Sequence, residues 1–305
     1  MGCAPRRPRR PRDSFVGYAR GVSDRVCAIL VTHDRTEALV GCLGSLAGQT
    51  RPVAKVLVVA GANADRTVAT VAEDFPDVEL VRLPDGEGNG FREGLKVARD
   101  RGYEWVWLLH EDAVPDERAL EELLAAAARG DDETPPVLLS SKVVRPDGKL
   151  DLHSLGRPDS ERVEHAVLSF ERGLEPLRWS SFVSVLISGP ALARHGLPLA
   201  TLGGGVDELE FTARLLRWGE GYLTPRSVVE HEGRARIKDF RDAPFELPAH
   251  VHERTLLLRT SAFGLGEKTR FGLGMLWAIS RGVRSPAQGL TVARAAVKGA
   301  FSPIA

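Results

Sequence analysis

Short apolar runs and helical stretches alternate four times between residues 26 and 128, and no other feature of the chain constrains its fold as strongly. Val26 to Thr32, Lys55 to Ala60, Val78 to Leu83 and Glu104 to Leu109 are too short for core helices, and their β-branched and aromatic content predicts strands. Between them, Leu39, Leu43 and Leu46 recur at helical spacing, Thr67 to Glu73 reads as a short helix, and Phe91 to Arg101 keeps Leu95 and Ala98 on one side. Asp116 to Ala128 turns Leu120, Leu123 and Leu124 inward, with acidic residues in the opening turn where they suit the helix dipole. The alternation predicts an α/β fold, a mostly parallel sheet flanked by helices.

The second half is less regular. Asp131 to Pro136 reads as a loop, Val137 to Val144 as a strand, and Pro146-Asp147-Gly148 as a turn. Trp179 to Ser188 reads as one strand. Gly203-Gly204-Gly205 feeds a helix from Asp207 to Trp218 with Leu209, Ala213 and Leu216 on its core side. Val228 and Val229 form a short strand, and helices are expected over Glu246 to Arg259 and Leu290 to Lys298. Tyr103, Trp105 and Trp107 are expected to pack the fourth strand, and Trp218 its helix end; Trp179 is divided between core and a platform for a ligand.

At 305 residues and 43% hydrophobic content the chain can bury a substantial core. The expected organisation is a disordered basic tail over residues 1–24, one catalytic-type domain over 25–240, and a C-terminal helical extension over 241–305. The tail crowds Arg6, Arg7, Arg9, Arg10 and Arg12 among three prolines, with no apolar stretch of a signal peptide behind them. Forty-one basic residues balance forty-one acidic ones, so bulk charge gives no argument for a nucleic-acid partner. Three cysteines without ligand or disulfide spacing suit a reducing, cytoplasmic compartment, with Cys27 and Cys42 as small buried groups. The most apolar stretch, Leu273 to Ile279, is far too short to span a bilayer. For the apolar and basic mixture from Phe271 to Lys298 two readings stay open: contact with the inner face of a membrane, or helix packing and homo-oligomerisation.

In an open parallel sheet the C-terminal ends of the strands share one edge, where ligands bind. Thr32-His33-Asp34, Ala60-Gly61-Ala62, Pro84 to Gly90, and His110-Glu111-Asp112 are therefore expected on a common rim. Asp112 is a hard oxygen donor able to hold a divalent cation against a diphosphate. His110 shares its orientation if the strand period continues, and can bind metal, donate to phosphate, or finish the strand. From spacing alone a loop of solvated charges is the competing reading. His231 after a strand is a ligand or a structural histidine, and Asp207 and Glu208 are helix-start carboxylates or, for Glu208, a general base. Gly86 to Gly90, with Gly88 at its centre, can cradle phosphate through backbone N–H groups, or merely bend sharply.

An ordered set of motifs ties these pieces together. "VCAILVTHDRTEALVGCLGSLAGQT", "KVLVVAGANADRT", "WVWLLHEDAVP" and "SGPALARHGLPLATLGGGVDELEFTARLLRWGEGYLTPRSVVEHEG" follow one another between Arg25 and Gly233. In this order they resemble a family 2, GT-A-type glycosyltransferase, and the Gly-Leu-Pro before the Asp207 to Trp218 helix resembles the bacterial galactofuranosyl- and rhamnosyltransferase-like branch. The resemblance implies a Rossmann-like GT-A fold. It also implies inverting transfer of a sugar from a nucleoside diphosphate donor to a glycan or polyprenyl-linked acceptor in cell-surface polysaccharide synthesis, with Mn2+ or Mg2+ as cofactor. By the same resemblance Asp112 and His231, with His110, hold the metal; Glu208 is the base, with Asp207 beside it; Thr32, Asp34, Asp65, Gly88, Arg92 and Glu111 lie on the donor side.

The sequence also departs from the pattern. Ala60 stands where the family has an Asp that holds the nucleoside, Pro84 and Arg92 replace frequent asparagines, and Arg66 replaces a usual glycine. His110 replaces the first acid of the metal motif, resembling a variant of some actinobacterial members. The alternative is therefore a GT-A-like binding or scaffold protein that has lost donor chemistry.

Overall fold

The computed structural model describes residues 25–32, 35–61, 65–83, 89–129, 135–159, 163–203, 205–233 and 245–304. The expected tail, Asp34 and Gly88 lie outside these residues. A 10-stranded sheet runs through the molecule in the order β3-β2-β1-β4-β9-β6-β10-β8-β7, with β5 attached to β10. Its first half is β1 (Val26–Thr32), β2 (Lys55–Ala60), β3 (Glu79–Arg82) and β4 (Trp105–His110). All of them pair in parallel, which carries their C-terminal ends to one edge as the sequence predicts. Crossovers are α1 (Thr36–Ala47), α2 (Asp65–Asp74) and α3 (Gly90–Asp100). Both faces of this half are covered, and β1 is buried along its whole length, which is why it reads as a continuous apolar run.

The second half is mixed. It comprises β5 (Ala113–Pro115), α4 (Ala119–Ala128), β6 (Leu138–Val144), β7 (Arg157–Pro158), α5 (Val163–Glu171), β8 (Glu175–Trp179), β9 (Ser184–Ser188), α6 (Gly189–His195), α7 (Val206–Leu215) and β10 (Gly221–His231). β9 lies antiparallel between β4 and β6, while β6 and β10 are parallel. The single strand expected over Trp179 to Ser188 is two strands, because α7 captures the backbone between them. Ser180 N–H donates to Thr212 Oγ1 at 3.0 Å, Thr212 donates back to the Ser180 carbonyl at 2.9 Å, and Phe182 N–H donates to Glu208 Oε2 at 2.9 Å. β10 is also longer than Val228–Val229, its continuity hidden by a register shift between Thr224 and Val228.

Three helices, α8 (Leu247–Arg259), α9 (Leu265–Gly282) and α10 (Pro286–Phe301), close the chain. Leu256, Leu257, Ala262 and Phe263 pack on Val206, Leu209 and Ala213, so these closing helices are seated on α7. Tyr103, Trp105 and Trp107 are buried as expected, whereas Trp218 is 56% exposed and stacks on His195 instead of packing inward. Cys27 and Cys42 are buried, and burial pushes both thiols up, Cys27 to about 12. Among the described residues, no helix is long and apolar enough to cross a membrane.

Candidate functional site

A cleft of about 620 Å³ opens where β1, β4 and β10 end and α7 begins. Asp112, His110, Glu111, His231, Asp207 and Glu208 all line it, so six of the sequence-predicted site residues come together. Two others do not: Thr32 is buried at the end of β1 without lining the cleft, and Arg92 turns its guanidinium to the Pro198 carbonyl. Asp65 opens α2, Ala60 is fully buried across the register from Thr32, and Asp34 and Gly88 lie outside the described residues.

Strand pairing explains how residues far apart in sequence meet. β4 ends at His110, the chain turns, and β5 pairs antiparallel with β10 so that Ala113 lies opposite His231. Asp112, one residue earlier, thereby meets the imidazole, with its Oδ1 3.3 Å from His231 Nε2. Its other oxygen, Oδ2, accepts from Arg35 Nη1 at 2.5 Å, and the same guanidinium is 3.9 Å from Glu111. His110 stacks on Phe91 and meets His231 edge-on, with ring centroids 5.9 and 5.7 Å apart. Donor atoms of His110, Asp112 and His231 all lie within 4.8 Å of one another. One carboxylate with two imidazoles suits a divalent first-row ion, so the donor set fits the implied metal.

His231 is held from behind by residues that no sequence motif singles out. Its Nδ1 lies 3.2 Å from Asp151 Oδ2 and 3.3 Å from Ser154 Oγ, and Ser154 donates to the same Asp151 oxygen at 2.5 Å. Asp151 Oδ1 accepts from His153 N–H at 3.2 Å. Gly233, with φ +66°, leaves room for this carboxylate, since a Cβ there would stand 3.3 Å from Asp151 Oδ2. A carboxylate on one ring nitrogen fixes the ring and directs the other nitrogen outward, as second partners of metal-binding histidines do. Burial alone would raise Asp112, but hydrogen bonds from His231 and Arg35 outweigh it and hold the carboxyl below the usual range. Burial would likewise lower His231, yet its two carboxylate neighbours raise it.

The opposite wall belongs to α7. Gly205, at φ +84°, occupies the left-handed region at the helix N-cap, a backbone state glycine takes without strain. Glu208 is fixed through Oε2 by the Phe182 N–H, leaving Oε1 3.4 Å from His110 Nε2. Asp207 accepts from Asn89 Nδ2 at 2.6 Å while Asn89 Oδ1 caps α3 by accepting from Arg92 N–H. Burial, and then the charge of Glu208, push Asp207 up to about 6. Glu253 of α8 rises to about 7, by burial and then by the charge of Asp207. The arrangement thus sets a cation-type donor set on one side and an anchored carboxylate on the other.

Comparison with known proteins agrees with this geometry. Residues 27–171 match the family model described as Glycosyl transferase family 2. The galactofuranosyltransferase GlfT1 of Mycobacterium tuberculosis is 31% identical over 206 residues, covering 65% of this chain and 66% of that protein. The galactofuranosyltransferase GlfT1 of Mycolicibacterium smegmatis is 33% identical over 105 residues, covering 33% of this chain and 35% of that one. The matches thus span less than two thirds of either relative. The mannosyltransferase PcManGT from Pyrobaculum calidifontis, solved with GDP-Man and Mn2+, superposes with a TM-score of 0.52 at 19% identity, over 92% of this chain and 76% of that one. Over residues 27–171 the chain is thus similar to the family 2 glycosyltransferases, and its fold is of the Rossmann-like GT-A type.

Proposed function

We propose that this chain transfers a sugar, with inversion, from a nucleoside diphosphate donor to a hydroxyl of a glycan or polyprenyl-linked acceptor. One observation carries the reading: the donor set of Asp112, His231 and His110 shares a single cleft with the anchored carboxylate of Glu208. In this reading residues 25–240 form the transfer unit, with 241–305 appended. Mn2+ or Mg2+ held by Asp112 and His231, with His110, would offset charge on the departing diphosphate.

The remaining chemistry belongs to the chain's own side chains. Glu208 takes the proton of the acceptor hydroxyl, and the alcohol oxygen attacks the anomeric carbon from the face opposite the diphosphate. One displacement exchanges one carbon–oxygen bond for another, so the configuration inverts without a second nucleophilic carboxylate. Phe182 N–H keeps Glu208 from turning away, and Asn89 holds Asp207 beside it. The second reading, nucleotide binding without transfer, is favoured by the fully buried Ala60 where the family pattern has an acid.

Calorimetry with a panel of nucleoside diphosphates, with and without Mn2+, separates the two. Metal-dependent binding that disappears in Asp112→Ala, followed by turnover with galactofuranose or mannose donors that Glu208→Gln suppresses, supports transfer. Metal-dependent binding with no turnover by the wild-type chain supports the second reading. Near-normal turnover in Glu208→Gln removes Glu208 as the base.

A further inference from the structure

The last two helices carry apolar residues on both faces, and among the described residues only one face packs inside the molecule. On the inner side Ala278 of α9 and Val292 of α10 close a small core with Leu247 and Val251 of α8. Gly299 of α10 comes so near α8 that a Cβ would stand 2.7 Å from the His252 carbonyl. On the outer side α9 presents Leu273, Leu276 and Trp277 at helical spacing, and α10 presents Leu290, Val297 and Phe301. With Leu265 these make seven of the fifteen large hydrophobic residues exposed among the described residues, concentrated in two helices. Such a concentration marks an interaction surface rather than ordinary scatter.

Charge identifies the partner. The whole chain is balanced, yet residues 265–304 hold Lys268, Arg270, Arg281, Arg284, Arg294 and Lys298 against one acid, Glu267. That acid is already paired with Arg178 at 2.8 Å. Arg270 falls on the Leu273–Trp277 stripe, Arg294 and Lys298 on the Val297–Phe301 stripe, and all three are exposed. Arg281 stands 5.0 Å above the Trp277 ring, an aromatic–cation pair suited to the headgroup level of a bilayer. Helices with an apolar outer stripe flanked by cations lie in the plane of an anionic membrane surface. A second copy of the same basic face would instead bring like charges together.

We propose that the outer face of α9 and α10 docks on an anionic lipid bilayer, a binding surface separate from the cleft and independent of whether transfer occurs there. The full chain is mixed with phosphatidylcholine vesicles, with and without about a third of phosphatidylglycerol, and sedimented. Binding is expected to anionic vesicles alone and to weaken with salt. It should fall at least about tenfold in Arg270→Glu/Lys298→Glu, and be lost in Leu273→Ser/Leu276→Ser/Trp277→Ser. These side chains are exposed, so both variants should keep wild-type melting temperatures and nucleoside diphosphate affinity, which separates this surface from the cleft. Equal binding to neutral vesicles, or no binding, overturns the proposal. So does retained binding in the apolar variant, which would point to the five arginines of the N-terminal tail. A dimer in light scattering that the apolar variant dissolves assigns the face to a second copy and also overturns it.

Discussion

Asp207 is buried in the first turn of α7, next to Glu208 and bonded by Asn89. Burial first, then the Glu208 charge, shift it from 3.8 to about 6. A carboxyl that holds its proton more tightly in the folded chain favours folding only while the proton is bound. That contribution is complete below the unfolded value of 3.8, declines as pH rises to about 6, and stays lost above it. At ~1.4 kcal/mol per pKa unit, the ionised carboxylate costs about 3 kcal/mol of stability at neutral pH. Asp207→Asn removes the charge and keeps an oxygen for the Asn89 amide. The metal-free variant should therefore be more stable than wild type by about 1–3 kcal/mol, the lower figure allowing for an imperfectly paired amide. Urea melts in EDTA at about pH 7.5 and about pH 4 test this, with the gain expected only at the higher pH. A variant no more stable than wild type near neutrality, or a gain equal at both pH values, refutes the reasoning. Turnover should fall in the same variant, since strained groups of this kind are kept for function at a cost in stability.

Asp151→Asn should weaken Mn2+ binding by about 10- to 100-fold in calorimetry while leaving the fold intact, because it loosens His231 without touching the cleft's other donors. Ser154→Ala, which removes the smaller contact, should cost less in the same titration. Glu253→Gln should also stabilise the chain near neutral pH, and the double variant with Asp207→Asn should gain less than the sum in urea melts, because the Asp207 charge is part of what raises Glu253. Gly189→Ala should destabilise by at least about 2 kcal/mol in the same melts, since its Cβ would fall 1.9 Å from the Tyr103 carbonyl, a backbone atom that cannot swing aside.

The parts of this fold that can be read from the sequence are those whose environment is uniform along the segment. β1 and β2 have the bounds their apolar runs predict, because parallel strands covered on both faces must be apolar at nearly every position. α9 escapes the pattern because Gly266, Gly272 and Gly274 interrupt it and its apolar residues lie on two faces, one for the core and one for the outside. β8 and β9 merge in the sequence because nothing between Ser180 and Val183 breaks a strand; the side chains of Thr212 and Glu208, some thirty residues on, do so.

The cleft follows the same division. His110, Asp112, Asp207, Glu208 and His231 stand at the ends of elements whose order a motif can encode, so a resemblance finds them. Asp151 follows a polar turn and has no neighbour in sequence that marks it as more than a loop acid. Its meaning arises from the β5–β10 pairing, which fixes where His231 sits, and from Gly233, whose missing side chain lets the carboxylate reach the ring. Arg92 shows the converse. It opens α3 just after the Gly-rich run of Gly86 to Gly90, yet its guanidinium is committed to the Pro198 carbonyl, so position in a motif does not carry a side chain into the site. Metal affinity in this chain should therefore depend on residues outside the motif nearly as much as on those within it, which is what the Asp151 titration measures.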